Sequence, residues 1–376
     1  FVVIDCLRLD QWAVLSPLLA PFFEIETTHH FSILPTATPY SRNSIFSGLF
    51  PSEIAARFPD WWGEREDESL NAHERGLLEA QFAEHKRQIP VRYEKISSTA
   101  DSTELERRVS SAIAREGVSA FVFNFVDLLT HGRSESAILY EVAKDEIALR
   151  QITKQWFERS VLFTILKDAA RKNIPVLITS DHGSIHCLTP ATVFAKRDAT
   201  ANLRYKFGED LRAEKPEYAL SFGNADDLKL PRRGSGANTL LAVGDTFFVY
   251  PTKLREYQTR YRGSFLHGGV TPEECILPVA LLGARRRGAA GLAVFRTARE
   301  ARGFLRRGIA LQLRRIGARH RRLGGGGAHC RAVRHSLGAD ELGYGFVLVD
   351  RWHPRSPSAL ALPKGNRLKV KNVHFP

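Results

Sequence analysis

The chain has 376 residues, 43% of them hydrophobic, and no apolar run approaches the ~20 residues a membrane span needs, which excludes a disordered, collagen-like or integral membrane protein. Its formal net charge of +13 invites a nucleic-acid reading, but the charge is unevenly placed. Residues 284–376 hold 21 Lys plus Arg against 4 acids, a local net of +17, whereas the first 283 residues carry 33 basic and 37 acidic side chains, a net of −4.

Taken in chain order, Phe1–Ile4 reads as a buried strand ending at Asp5. No Met occurs anywhere, and with this abrupt opening the chain reads as one whose preceding segment is missing. No charged and then apolar leader opens it, so no signal peptide is expected. Short apolar runs at Phe31–Leu34, Ala120–Phe125, Pro175–Ile178 and Leu240–Val243 are the other expected core strands. Helical patterns fall at Ser41–Gly48, Asp67–His85, Ser102–Arg115 and in one long stretch, Ala137–Arg171. Between Thr103 and Arg115, Leu105, Val109, Ala112 and Ala114 share roughly one helix face. The Gly-, Pro- and charge-rich stretch Asp198–Tyr261 is expected to be an insertion or cap at the sheet's edge. This alternation predicts an α/β fold with a mostly parallel central sheet and helices on both faces. Cys6, Cys187, Cys275 and Cys330 are spread without CxxC pairing, which fits reduced thiols and a cytoplasmic location.

The texture changes after the last expected core strand, near Glu274–Leu281, and an open sheet edge is expected there. Residues Gly288–Leu323 are dominated by Arg, Gly, Ala and Leu, followed by the run Gly324–Gly327, with no Lys until Lys364. The stretch fits a basic helical arm, a nucleic-acid-binding tail or an out-of-frame read of a GC-rich gene. The last is favoured over nucleic-acid binding, because low complexity without a core pattern gives little reason for a fold.

Residues suited to chemistry follow the predicted strands. Asp5 ends the first; Pro35-Thr36-Ala37-Thr38-Pro39 follows the second; Asn124-Phe125-Val126-Asp127 follows the third, with His131 four residues on. Thr179-Ser180-Asp181-His182-Gly183 follows the fourth, and His267-Gly268-Gly269 comes late in the chain. In an open α/β sheet these ends share one edge, so distant segments can converge. Asp and His suit Zn²⁺, Mn²⁺ or Fe. Asp127 and His131 at i, i+4 can hold one ion, and Asp181-His182 a second. Two ions ~4 Å apart are a recurring device for phosphoryl transfer. A Thr hydroxyl becomes a competent nucleophile once a metal lowers its pKa. Each piece alone has a plainer reading, as a turn, a surface pair or a helix cap. Gly234-Ser235-Gly236 lacks the strand-to-helix context of a phosphate loop.

This ordered set resembles the alkaline phosphatase superfamily, and within it the PglZ-domain branch. Val3-Ile4-Asp5-Cys6-Leu7-Arg8-Leu9-Asp10-Gln11-Trp12 and Ile33-Leu34-Pro35-Thr36-Ala37-Thr38 carry the resemblance, together with the three later motifs extended to Val270. It spans about residues 1–281 and is most similar to the PglZ output domains of PorX-type response regulators, which are linked to type IX secretion.

The resemblance implies two zinc ions, or Mn²⁺ or another divalent metal in their place. Asp127, His131 and His267 would hold one ion; Asp5, Asp181 and His182 the other. Thr38 would be the nucleophile, with Thr36 as the alternative. Arg8, Asp10, Arg42 and Asn43 would contact phosphate or support the ligands, or else form ordinary salt bridges; His186 would be a further ligand or a loop histidine. The implied activity is hydrolysis of a phosphoester, and of a phosphodiester in a nucleotide or oligonucleotide signal in particular. The alternative is a non-catalytic, metal-bound module whose output is contact with a signalling protein.

Overall fold

The computed structural model describes residues 1–285 apart from 63–70, 97–101, 114–115, 133–135, 196–201, 233–235 and 252–253. The first five strands are β1 (Val2–Ile4), β2 (Phe23–Phe31), β3 (Val91–Ile96), β4 (Val118–Phe123) and β5 (Val176–Thr179). Eight short ones follow: β6 (Ile185–Cys187), β7 (Thr189–Phe194), β8 (Tyr205–Glu209), β9 (Arg212–Ala213), β10 (Ala219–Phe222), β11 (Ala237–Ala242), β12 (Thr246–Val249) and β13 (Ser264–Leu266). The last described strand is β14 (Ile276–Ala284). The helices are α1 (Leu9–Leu19), α2 (Thr38–Ser47), α3 (Pro51–Arg57), α4 (Glu74–Glu84), α5 (Ser102–Ala112) and α6 (Phe125–Gly132), then α7 (Ala137–Val142), α8 (Glu146–Arg159), α9 (Val161–Arg171), α10 (Leu254–Tyr261) and α11 (Pro272–Cys275).

The central sheet has six strands in the order β2-β14-β5-β1-β4-β3. It is mixed: β14 runs antiparallel to both neighbours, and the other strands share one direction. Alternation along β1 shows how it is covered. Val2 and Ile4 pack with Leu15, Leu19, Val109, Phe157 and Leu166, from α1, α5, α8 and α9. Val3 points the other way, into a core with Phe46, Leu77 and Leu78 from α2 and α4. Both faces are thus buried by helices, as the short all-apolar strands require.

Several expectations need correction. The second strand ends at Phe31 rather than beginning there, and Ile33-Leu34 belong to the connection into α2. Leu240–Val243 is not in the central sheet; Leu240 and Leu241 lie in β11, in a three-stranded sheet of order β10-β11-β8. The long stretch Ala137–Arg171 is three helices. Asp145 and Ser160 interrupt it, each with a side chain that accepts the amide three residues on and so starts a new helix. The last strand is not an open edge: β14 lies between β2 and β5, and the edges are β2 and β3. The beginning of the Asp67–His85 pattern, most of Gly234–Gly236 and the tail beyond Arg285 lie outside the described residues. Among the described residues, no helix is long and apolar enough to cross a membrane.

Candidate active site

Sheet register brings the motifs together. Ile4 pairs with Phe123 and Val3 with Thr179, so Asp5, Asn124 and Ser180-Asp181 leave the sheet at one level of the same edge. β14 enters from that edge, with Val279 opposite Thr179, so the segment preceding it arrives there as well. α6 then carries Asp127 and His131 one turn apart.

Two groups of ligand-type atoms result. Asp5, Asp181 and His182 form one, with His182 Nε2 3.5 Å from Asp5 Oδ1 and 3.8 Å from Asp181 Oδ2. In the other, His131 Nε2 is 3.4 Å from Asp127 Oδ1 and 3.1 Å from His267 Nε2, which is itself 3.7 Å from the same oxygen. His182 stacks on His267 with ring centroids 4.1 Å apart and falls with Asp127 and His267 in a further three-residue combination. The groups are therefore contiguous, and His182 borders both.

The donor set fits divalent cations by an observation independent of motif order. Asp5 Oδ1, Asp127 Oδ1 and Asp181 Oδ2 are buried without a hydrogen-bond partner among the described residues. Buried carboxylate oxygens are expensive to leave bare, and a cation is the partner that three converging ones share most readily. Burial, then the charges of Asp181 and Asp127, pushes the Asp5 carboxyl well above its ordinary range. Asp127 moves the opposite way: burial would raise it, but the adjacent His131 holds it below the usual carboxylate range. Burial and the neighbouring His182 and His131 hold His267 neutral, the form that ligates a metal.

Thr38 is the first residue of α2, which begins three residues earlier than the pattern suggested because Pro39 is pre-set for a first helical turn. Its Oγ1 lies 2.9 Å from His182 Nε2, and the residue is only partly buried. Thr36 is placed differently. It is fully buried, donates its hydroxyl proton to Gly269 O at 2.9 Å and accepts from Gly268 N at 3.0 Å. It braces the loop that carries His267, whose Nδ1 is 3.1 Å from Thr36 O. Gly268 has a φ of +118°, so this loop needs a glycine there.

The remaining candidates divide. Arg42, one turn beyond Thr38, bonds Asp5 Oδ2 and Glu74, and its Nη1 is 3.9 Å from Asp181 Oδ2. Asn43 donates to Pro39 O at 2.9 Å, and the Asn71 amide reaches Asn43 Oδ1 and Thr38 O at 3.4 and 3.3 Å. Arg8 and Asp10 pair with each other, Arg8 also reaching Glu146 and Ser184 O, and Asp10 receiving Arg150; the salt-bridge reading describes them. His186, on β6, packs over the Phe265 ring and is in neither ligand group.

Sequence reasoning missed four supporting residues. Glu74 and Asn71 sit just beyond the 63–70 segment, far from any strand end. Arg204 and Glu274 form a fully buried pair at 2.5 Å. Glu274 also accepts from Gly269 N at 2.8 Å and Thr271 N at 3.0 Å, and its backbone carbonyl takes Gly183 N–H at 3.0 Å. It thereby ties the Asp181-His182-Gly183 loop to the His267 loop. Thr271-Pro272-Glu273-Glu274 is a capping-box pattern, a signal that was available.

The family model described as the BREX system PglZ alkaline phosphatase-like domain matches residues 1–282. Among solved structures, phosphonoacetate hydrolase from Sinorhizobium meliloti 1021, in complex with phosphonoformate, is similar at 11% identity and a TM-score of 0.41, covering 81% of this chain and 94% of that one. A mutant of TAB5 alkaline phosphatase with magnesium bound is similar at 11% identity and a TM-score of 0.27, covering 75% and 90%. No curated protein matches. Nearly the whole described chain, with every ligand-bearing strand end, falls inside the family match, and the chain belongs to the PglZ family of alkaline phosphatase-like domains, a phosphoester hydrolase fold.

Proposed function

We propose that this domain is a metal-dependent phosphodiesterase with Thr38 as its nucleophile. The carrying observation is the Thr38 Oγ1, partly buried at the head of α2 and 2.9 Å from His182 Nε2, beside two contiguous carboxylate–histidine groups. Asp127, His131 and His267 would hold one cation, and Asp5, Asp181 and His182 the other; zinc suits the mixed His and carboxylate donors, with Mn²⁺ as the alternative. When bound, the cations supply charge neutralisation at the attacking and leaving oxygens and favour the ionised hydroxyl. The ionised Thr38 would attack phosphorus in line with one ester oxygen, which leaves as an alcohol on taking a proton from water, giving a threonyl phosphodiester that keeps the other ester group and that water hydrolyses to a phosphomonoester and free Thr38. His182 Nε2 also faces the Asp5 and Asp181 carboxylates, so Thr38 Oγ1 sits beside that ligand group. The positive end of the α2 dipole favours negative charge beside Thr38.

The motif wording that resembles PorX-type output domains supports a nucleotide or oligonucleotide signal as substrate and a response regulator linked to type IX secretion as the setting. Exposed Ile138, Val142 and Ile147, 76%, 52% and 52% accessible, support contact with a signalling protein. The test is Thr38→Val assayed with bis-p-nitrophenyl phosphate, with metal content measured on the same sample. Turnover should vanish while about two metal ions per chain remain. Full turnover by this variant would refute the nucleophile assignment.

A further inference from the structure

The Arg42 guanidinium lies against the ligand group made by Asp5, Asp181 and His182. Its Nη1 is 2.5 Å from Asp5 Oδ2 and 3.9 Å from Asp181 Oδ2. A fixed cation there has two opposing effects. It pins one oxygen of Asp5, leaving Oδ1 turned toward His182 Nε2 at 3.5 Å. It also competes, as a positive charge, with any dication for the same two carboxylates. The Arg42 side chain is 1% exposed, so solvent screens little of this.

The opposite side of the guanidinium is covered. Arg42 Nε bonds to Glu74, a carboxylate with no exposed surface, and Tyr93 donates its hydroxyl to the same Glu74. Neither residue is in a ligand group or in the sequence motifs. Three carboxylates thus surround one guanidinium, two of them ligands and one not. The non-ligand is the one that can balance Arg42 without taking part in metal binding.

We propose that Glu74 is a positioning residue, acting through Arg42, that keeps the charge of Asp5 and Asp181 available to the second metal ion. With Glu74 in place, Arg42 and Glu74 together are neutral and Arg42 serves only to orient Asp5. Without it, the uncompensated guanidinium draws on both ligand carboxylates and weakens that ion's hold. The proposal rests on the two-metal reading, and its test reads affinity rather than activity.

The experiment is competition of the full chain against a zinc-binding chromophore, which resolves two binding steps. Glu74→Gln should weaken one step by tenfold to a hundredfold, the usual effect of losing a group that supports a ligand, and leave the other within a factor of about two. Arg42→Gln combined with Glu74→Gln removes both charges and should recover part of that loss, as expected of residues coupled through charge. Should Glu74→Gln fail to fold, Tyr93→Phe serves, with the same step weakened by a smaller factor. The proposal is overturned if both steps weaken equally, if neither moves, or if the double variant binds no better than Glu74→Gln. If the wild-type chain binds no zinc at all, the two-metal reading fails instead, a result distinct from each of these.

Discussion

Replacing Arg204 by Met tests whether the Arg204–Glu274 pair holds together the loops that carry His182 and His267. Arg204 has no exposed surface, and its Nε and Nη2 bond the Glu274 carboxylate at 3.1 and 2.5 Å. Its Nη1 also bonds the carbonyls of Gly244, at 2.8 Å, and Thr246. Met keeps most of the volume, so the cost is chiefly electrostatic. Breaking a buried pair by removing one partner costs about 3–5 kcal/mol, and each abandoned carbonyl adds about 1 kcal/mol. The donors that Glu274 keeps, Gly269 N, Thr271 N and Thr271 Oγ1, offset part of this. A net loss of about 3 kcal/mol follows, which lowers a urea midpoint by about 1 M or more. Urea unfolding followed by tryptophan fluorescence, with zinc and with EDTA, measures it. Arg204→Met with Glu274→Gln should recover part of the loss, since no buried charge is then left unpaired. A single variant that melts within about 0.3 M of wild type would sink the argument.

Three further outcomes are expected. Burial pushes the pKa of His30 down to about 4, so the folded protein binds fewer protons than the unfolded chain between pH 4 and about 6.5 and loses stability as pH falls through that window. His30 should contribute about 2 kcal/mol to the loss from pH 7.5 to 5, and His30→Gln should lessen the loss by about that much; an equal loss in both proteins would contradict the assignment. Thr36→Val should cost about 1–3 kcal/mol and weaken metal binding while leaving measurable turnover, whereas a dead variant with full metal content would move the nucleophile to Thr36. Dialysis against EDTA should lower the melting temperature and added zinc restore it, by about 2.7 kcal/mol at a hundredfold excess over the dissociation constant; an unchanged melt would argue against a bound ion.

What could be read in the sequence followed chain order. Asp5, Thr38, Asp127, Asp181 and His267 each follow or lead into a strand or helix whose apolar run is local, so their place at an element's end needs no knowledge of neighbours. The order of strands in the sheet is a different kind of fact. Nothing in Ile276–Ala284 says that it inserts antiparallel between β2 and β5, because that depends on pairings across hundreds of residues. Glu74 was illegible for the same reason. It sits on a helix that reads as amphipathic, and only the fold brings it to Arg42. Leu240–Val243 was misplaced because a short apolar run looks alike in a central sheet and in a satellite sheet.

The charge of the site also explains why net charge was a poor guide to it. Asp5, Asp127 and Asp181 converge with oxygens that have no hydrogen-bond partner among the described residues, while Glu74 and Asp5 already share the Arg42 guanidinium. Burying three carboxylates this way opposes folding unless positive charge arrives with them. Arg42 supplies one charge and is itself divided among three acids, and burial holds the adjacent His267 neutral. The cheapest remaining source of charge is a cation bound from solution. The acids that make such a centre are a small minority of the 37 in the first 283 residues, and they act through convergence rather than number. A local deficit of positive charge, set by sheet register and suited to a bound cation, is therefore compatible with a chain that is strongly basic overall.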